Sequence, residues 1–264
     1  MKRLWGFTRG VLLFTMIVAV AMLAVHCGRT KPPEKTPTEA ARPVTYFHVD
    51  PATAATLRGK VTFHGARPAR QAISMDADAA CEKVHGGHPV YAELIVTGKG
   101  NGLANAFVYL QSGLEGKNFE PVAGGASLDQ RGCMFVPRVI GIRIGQTLDV
   151  KNSDPVSHNI HPRPSSNREW NQEQPPQSPD LQHRFGRREI MIPVKCDIHS
   201  WMRAYIGVME HPYFTVTGPD GTFAWTGVPP GDYTVAVWHE TLGEQTRQIH
   251  LTASAGVVAD FTYR

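Results

Sequence analysis

Apolar and polar residues alternate along most of the chain from about residue 56 to the C-terminus, and a period of two marks half-buried β-strands. Leu57 to His64 alternates as one strand, and Ala104 to Leu110 ("ANAFVYL") reads as another. From Val139 to Val150, Ile140, Ile142 and Ile144 face one way, and Gly145 then allows a turn before Leu148 and Val150. Ile190, Ile192, Val194 and Cys196 fall on one face of a further strand, and Tyr205 to Met209 resumes after a loop. Pro219-Asp220-Gly221 and Pro229-Pro230-Gly231-Asp232 supply turns between strands. Beyond the N-terminal head, only Asp76 to His85 has the character of a short helix. The expected fold class is all-β.

The N-terminal head is different. Lys2, Arg3 and Arg9 precede an uncharged apolar run from Val11 to Val25, and Cys27 follows. That layout is an export signal. It resembles a bacterial lipoprotein signal, which implies lipidation of Cys27, although His26 stands where a small residue is expected. An uncleaved anchor, rather short for about 30 Å of hydrocarbon, and simple cleavage are the other readings. All three place the remainder outside the cytoplasm, in the periplasm of a bacterial cell, and the first two tether it to the membrane. Residues 28–54, with Pro32, Pro33, Pro37 and Pro43, read as a tether without a core of its own.

Charge narrows the partners. The whole chain carries a formal net charge of +4, and removing residues 1–26 takes away three positive charges and no acid, leaving +1. A nearly neutral body argues against nucleic acid.

Two family resemblances follow from quoted motifs. "GPDGTFAWTGVPPGDYTVAVWHE" near the C-terminus, with "RGKVTFHG" at 58–65 and "GLANAFVYLQ" at 102–111, resembles the carboxypeptidase regulatory-like module, a small transthyretin-like sandwich. About 100 residues separate its second and third pieces. The simplest organisation is therefore one sandwich from 55–112 plus 211–264, with a second domain, 113–210, inserted into it. Two domains in series, or one merged sandwich, are the alternatives. Within 113–210, "MFVPRVIGIRIGQTLDVKNSDPVSHNIH" (134–161) followed by Cys196-Asp197-Ile198-His199-Ser200-Trp201-Met202 resembles the cupredoxins, the blue copper proteins, with two residues in each gap of the loop as in amicyanin. The resemblance implies a Greek-key β-sandwich holding one type 1 copper ion. It assigns His158, Cys196 and His199 to the trigonal plane and Met202 to a weak axial position, a set that suits both Cu(II) and Cu(I). Asn159 is implied to tie the two ligand loops together.

With Cys27 lipidated and Cys196 on copper, Cys81 and Cys133 remain. Outside the cytoplasm two such cysteines tend to pair, and free buried thiols are the alternative. His161 points to the opposite face of its strand from His158 and reads as a surface histidine. Cys81, His85 and His88 lack a fourth zinc donor at suitable spacing. Haem attachment is excluded because C-x-x-C-H does not occur. The one cysteine in the 196–202 loop argues against a binuclear copper site. Pro162 to Arg188 reads as a long polar loop, with Arg184, Arg187 and Arg188 as a docking cluster for an acidic partner or simply a solvated surface. No substrate pocket is identifiable, so the expected role is carriage of single electrons between redox partners at the cell envelope, not catalysis. Copper storage or delivery with the same ligands, and a structural sandwich with a degenerate site, are the alternatives.

Overall fold

The computed structural model describes residues 44–264. The apolar head, Cys27 and the first part of the expected tether lie outside the described residues. Among the described residues no helix is long and apolar enough to cross a membrane. The last part of the expected tether lies along the body: Phe47 donates its N–H to the carbonyl of Asn118 and its ring meets Phe119 edge-on, with centroids 5.7 Å apart.

In chain order come β1 (Ala55–Phe63), α1 (Ala79–Val84), β2 (Phe107–Ser112), β3 (Ala126–Gln130), β4 (Phe135–Val136) and β5 (Val139–Arg143). Next are β6 (Leu148–Asn152), β7 (His158–Pro162), β8 (Gln172–Gln174), β9 (Leu181–His183), β10 (Glu189–Lys195) and β11 (Arg203–Met209). The chain ends with β12 (Phe214–Val216), β13 (Thr222–Val228), β14 (Gly231–His239), β15 (Gly243–Leu251), β16 (Gly256–Val258) and β17 (Phe261–Tyr263). Among the described residues the fold is all-β apart from α1 and a short 3-10 turn at Lys99–Asn101.

Two sandwiches result, each with its own apolar core. In one, β13-β1-β16, with β17 also on β1, faces β12-β2-β14-β15 over Leu57, Val61, Val108, Leu110, Val235 and Phe261. In the other, β5-β11-β10-β7-β8 faces β4-β3-β6-β9 over Leu128, Ile142, Val150, Ile160, Ile192 and Val194. The chain leaves the first sandwich after β2 and re-enters it at β12. These two strands are antiparallel neighbours, with Tyr109 opposite Phe214, so the exit and the return lie side by side. That closeness lets nine strands intervene without disturbing the first core.

Glycine explains how the sandwiches meet. Gly141 on β5 and Gly207 on β11 are register partners, and together they leave a flat patch on the outer face of that sheet. Phe107 of β2 lies on this patch. A Cβ at Gly207 would stand 2.6 Å from the Phe107 ring, and one at Gly141 2.5 Å from Phe214. Tyr109, Val139, Met191 and Met209 complete the apolar contact. At its margin Arg138 makes a two-pronged ion pair with Glu240, at 2.5 and 2.7 Å.

Two expectations from the pattern need correction. The run Ile190, Ile192, Val194, Cys196 does not keep one face. Met191 takes a positive φ of 56° in a bulge, so Ile190 and Met191 pack toward the inter-sandwich contact while Ile192, Val194 and Cys196 enter the core. Nor is 162–188 a solvated loop. It supplies β8 to β7 and β9 to β6, and it buries Gln174 and Phe185.

Two buried histidines outside the second core carry a pH signature. His211 donates Nε2–H to the carbonyl of Leu110 and accepts the Tyr213 N–H at Nδ1, and the Nδ1 of His239 accepts the Thr241 N–H. Burial pushes both down to about 4. The unfolded chain titrates near 6.5, so between those values it binds more protons than the folded chain. Stability is therefore full above about pH 6.5 and falls as pH drops toward about 4, by on the order of 3 kcal/mol per histidine. Urea midpoints measured across that window should fall accordingly, and His211→Gln should flatten the slope. Separately, Gly141→Ala and Gly207→Ala should each cost about 1–3 kcal/mol by overpacking, read from the same midpoints at neutral pH.

Candidate metal centre

Three loops meet at one end of the second sandwich. The turn Cys196–Met202 joins β10 to β11 and is closed by its own backbone: Cys196 N–H donates to the carbonyl of Met202 at 3.2 Å, and Met202 N–H to that of His199 at 3.0 Å. His158 opens β7, next to β10. Cys196, His158, His199 and Met202 are all buried, the most exposed being His199 at 2%.

The two imidazoles face each other through Nδ1, 2.9 Å apart, and Cys196 Sγ lies 3.9 Å from the His199 Nδ1. The far nitrogen of each ring meets a carboxylate. His158 Nε2 is 2.9 Å from Asp154, and His199 Nε2 is 3.1 Å from Asp78. Asp154 accepts the backbone N–H groups of Gly132 and Cys133, both at 2.7 Å, and these with His158 hold its carboxyl below the usual range against the opposing effect of burial. Asp78 is held low chiefly by His199 and by the backbone N–H of Ala80. Both carboxyls are thus ionised acceptors, and each Nε2 carries the proton it donates. With both rings neutral, both Nδ1 lone pairs point at the same small volume. Two bare acceptors at 2.9 Å repel unless a proton or a cation stands between them.

The remaining contacts prepare the sulfur. Asn159 Oδ1 accepts the N–H groups of Asp197 and Ile198, tying the β7 start to the Cys196 turn. Asn159 N–H and His199 N–H point at Cys196 Sγ from 3.5 and 3.3 Å. Burial alone would raise the thiol, but His158 and these N–H donors outweigh it and leave its pKa lowered. His158 is raised to about 8, because Asp154 and Cys196 favour its charge more than burial opposes it.

A cap closes the end. Asp78 starts α1, accepting the N–H of Ala80 and Cys81 at one oxygen while the other meets His199. Cys81, on that helix, is joined to Cys133 by a disulfide. Cys81 Sγ lies 3.7 Å from His199 Nε2, and Trp201, whose Nε1–H donates to the Cys133 carbonyl, packs against the His199 ring at 5.1 Å.

The structure thus brings His158, Cys196 and His199 within ligand distance of one another. It puts Asn159 between their loops and Met202 in the same core. His161 lies elsewhere, between Asp197 and Glu169 at 2.8 and 2.6 Å. Arg184 donates to Thr147 and Arg188 lies near Glu210, at the opposite end of the sandwich from the histidines. Sequence reasoning gave no role to Asp154, although it ends the Asn152-Ser153-Asp154 run, and it missed Asp78, whose only local sign was helix capping.

No family model matches the chain, and no curated protein does. Among solved structures, a copper-containing nitrite reductase from Thermus scotoductus SA-01 is similar over 38% of this chain, at 19% identity and a TM-score of 0.31. The match spans 25% of that enzyme's length. A purple cupredoxin from Nitrosopumilus maritimus matches over 32% of this chain and 99% of its own, at 20% identity and a TM-score of 0.27. A methionine-to-alanine variant of Cu(I) amicyanin matches over 39% and 98%, at 17% identity and a TM-score of 0.28.

The disulfide closes a loop of 52 residues between the cap and the second sandwich. Cys81→Ser/Cys133→Ser should cost roughly 2–5 kcal/mol of stability and open the His199 ring to carbethoxylation, followed by mass spectrometry.

Proposed function

We propose that His158, Cys196 and His199 hold one copper ion, with Met202 as a weak axial ligand, and that the protein carries single electrons between redox partners. The opposed Nδ1 atoms, each fixed by a carboxylate behind its ring, carry this reading. Two imidazoles with a thiolate of lowered pKa form a donor set for copper, with a buried methionine in the same core. Copper bound there supplies a one-electron couple. The protein keeps the ligands still: Asp154 and Asp78 fix the rings, Asn159 locks the turn, and backbone N–H groups stabilise sulfur charge. Burial keeps water away from the donors.

The disulfide and the export-type head support a location outside the cytoplasm, tethered through Cys27 or the apolar run. We read the first sandwich as a transthyretin-like module that acts as a stand for the metal-bearing one.

The full chain loaded with one equivalent of Cu(II) should show intense thiolate-to-copper absorption in the visible and reversible reduction. Cys196→Ser should abolish the colour while circular dichroism keeps its β signature, since the core does not depend on that sulfur. Weak colour with rapid loss of copper to a chelator would indicate a storage or delivery protein instead. Colour that survives the substitution would overturn the ligand assignment.

A further inference from the structure

The cap leaves the centre without an exposed imidazole. His158 and His199 are 0% and 2% exposed, and the outer nitrogen of His199 is taken by Asp78. A partner cannot touch either ring edge, so electrons need another way to the surface. The chain that carries Cys196 offers one. Cys196 forms part of the wall of an open cleft of about 400 Å³ on the outer face of β10 and β11. Arg163, Lys195, Arg203 and Tyr205 line the same cleft.

The charges here are unusual for a sheet. Lys195 and Arg203 are register partners on β10 and β11, and Arg163 directly follows Pro162, which pairs with Val194 beside Lys195. Like charges directly opposite one another destabilise a strand pair, so folding gives no reward for this placement. The carboxylate in the cleft wall, Asp197, is already engaged by Lys195 and His161, at 2.5 and 2.8 Å. Arg163 and Arg203 are exposed, and neither forms an ion pair among the described residues.

We infer that the Arg163–Lys195–Arg203 cleft beside Cys196 is the docking surface for the acidic face of a redox-partner protein, and that electrons leave through the Cys196 side of the centre. The inference rests on the copper reading above. In the exchange the reduced site gives up one electron and the acceptor gains it; no bond forms and no proton moves. Charge attraction at such a rim acts mainly on the rate of encounter and makes it depend on salt.

The test uses the reduced, copper-loaded full chain, oxidised in a stopped-flow cell by hexacyanoferrate(III), a trianion, or by tris(phenanthroline)cobalt(III), a trication. Rates with the trianion should fall severalfold as salt is raised. Arg163→Glu/Arg203→Glu should cut the low-salt rate with the trianion by about tenfold and raise the rate with the trication, with the visible spectrum unchanged. An oligoglutamate peptide, standing for the partner's acidic face, should slow the trianion reaction of the unsubstituted chain and not that of the variant. The control, Arg58→Glu/Arg247→Glu on the first sandwich, carries the same change in net charge and should leave the rates nearly unaltered. An intact spectrum with rates that ignore the cleft substitutions, or that follow the control equally, overturns the docking surface alone. Absence of colour in the unsubstituted chain sinks the copper reading and the docking surface with it.

Discussion

Two imidazole nitrogens held 2.9 Å apart, in a pocket closed to water, set the terms for the rest of the structure. Neither ring can turn away without breaking its bond to a carboxylate, and neither carboxylate can relax without giving up backbone N–H groups. The arrangement is favourable only with positive charge between the rings. A proton supplies it when His158 is charged, and a metal cation supplies it more fully. Burial opposes charge on both His158 and Cys196, yet His158 is raised by Asp154 and Cys196, and Cys196 is lowered by His158 and backbone N–H groups, so the pocket favours the charged pair.

The two sandwiches and the cap divide the work of holding this geometry. The second sandwich brings β7 beside β10, so that His158 reaches the Cys196 turn. The segment between β1 and β2 belongs to the first sandwich at both ends, yet it delivers Asp78 to the back of His199. The disulfide fixes that segment to the Gly132–Cys133 turn, which is the turn that fixes Asp154. Both rings are thus braced from one cross-linked unit. The glycine patch under Phe107 and the Arg138–Glu240 pair join the two sandwiches. The same cap that braces the centre also hides its imidazole edges.

Much of this was legible in the chain, and the remainder was hidden for physical reasons. Alternation over Val139–Val150 marked strands directly, because period two follows from the pleat. The spacing of Cys196, His199 and Met202 was legible because all three lie in one short turn whose backbone bonds are local. The bulge at Met191 was not, since it answers to the neighbouring sandwich and not to its own strand. The segment 162–188 looked like a loop because its strands are three residues each and its buried groups include polar glutamine. Asp78 stands 121 residues from His199, and no local pattern announces a contact at that distance.

Heteronuclear NMR of the imidazole nitrogens of the full chain measures directly which nitrogen of each ring carries the proton. At a pH above the His158 titration, and after loading with diamagnetic Cu(I), both rings should keep their protons on Nε2, and both Nδ1 resonances should shift on loading. A proton found on Nδ1 of either ring in the loaded protein, or Nδ1 signals indifferent to the metal, would contradict the account.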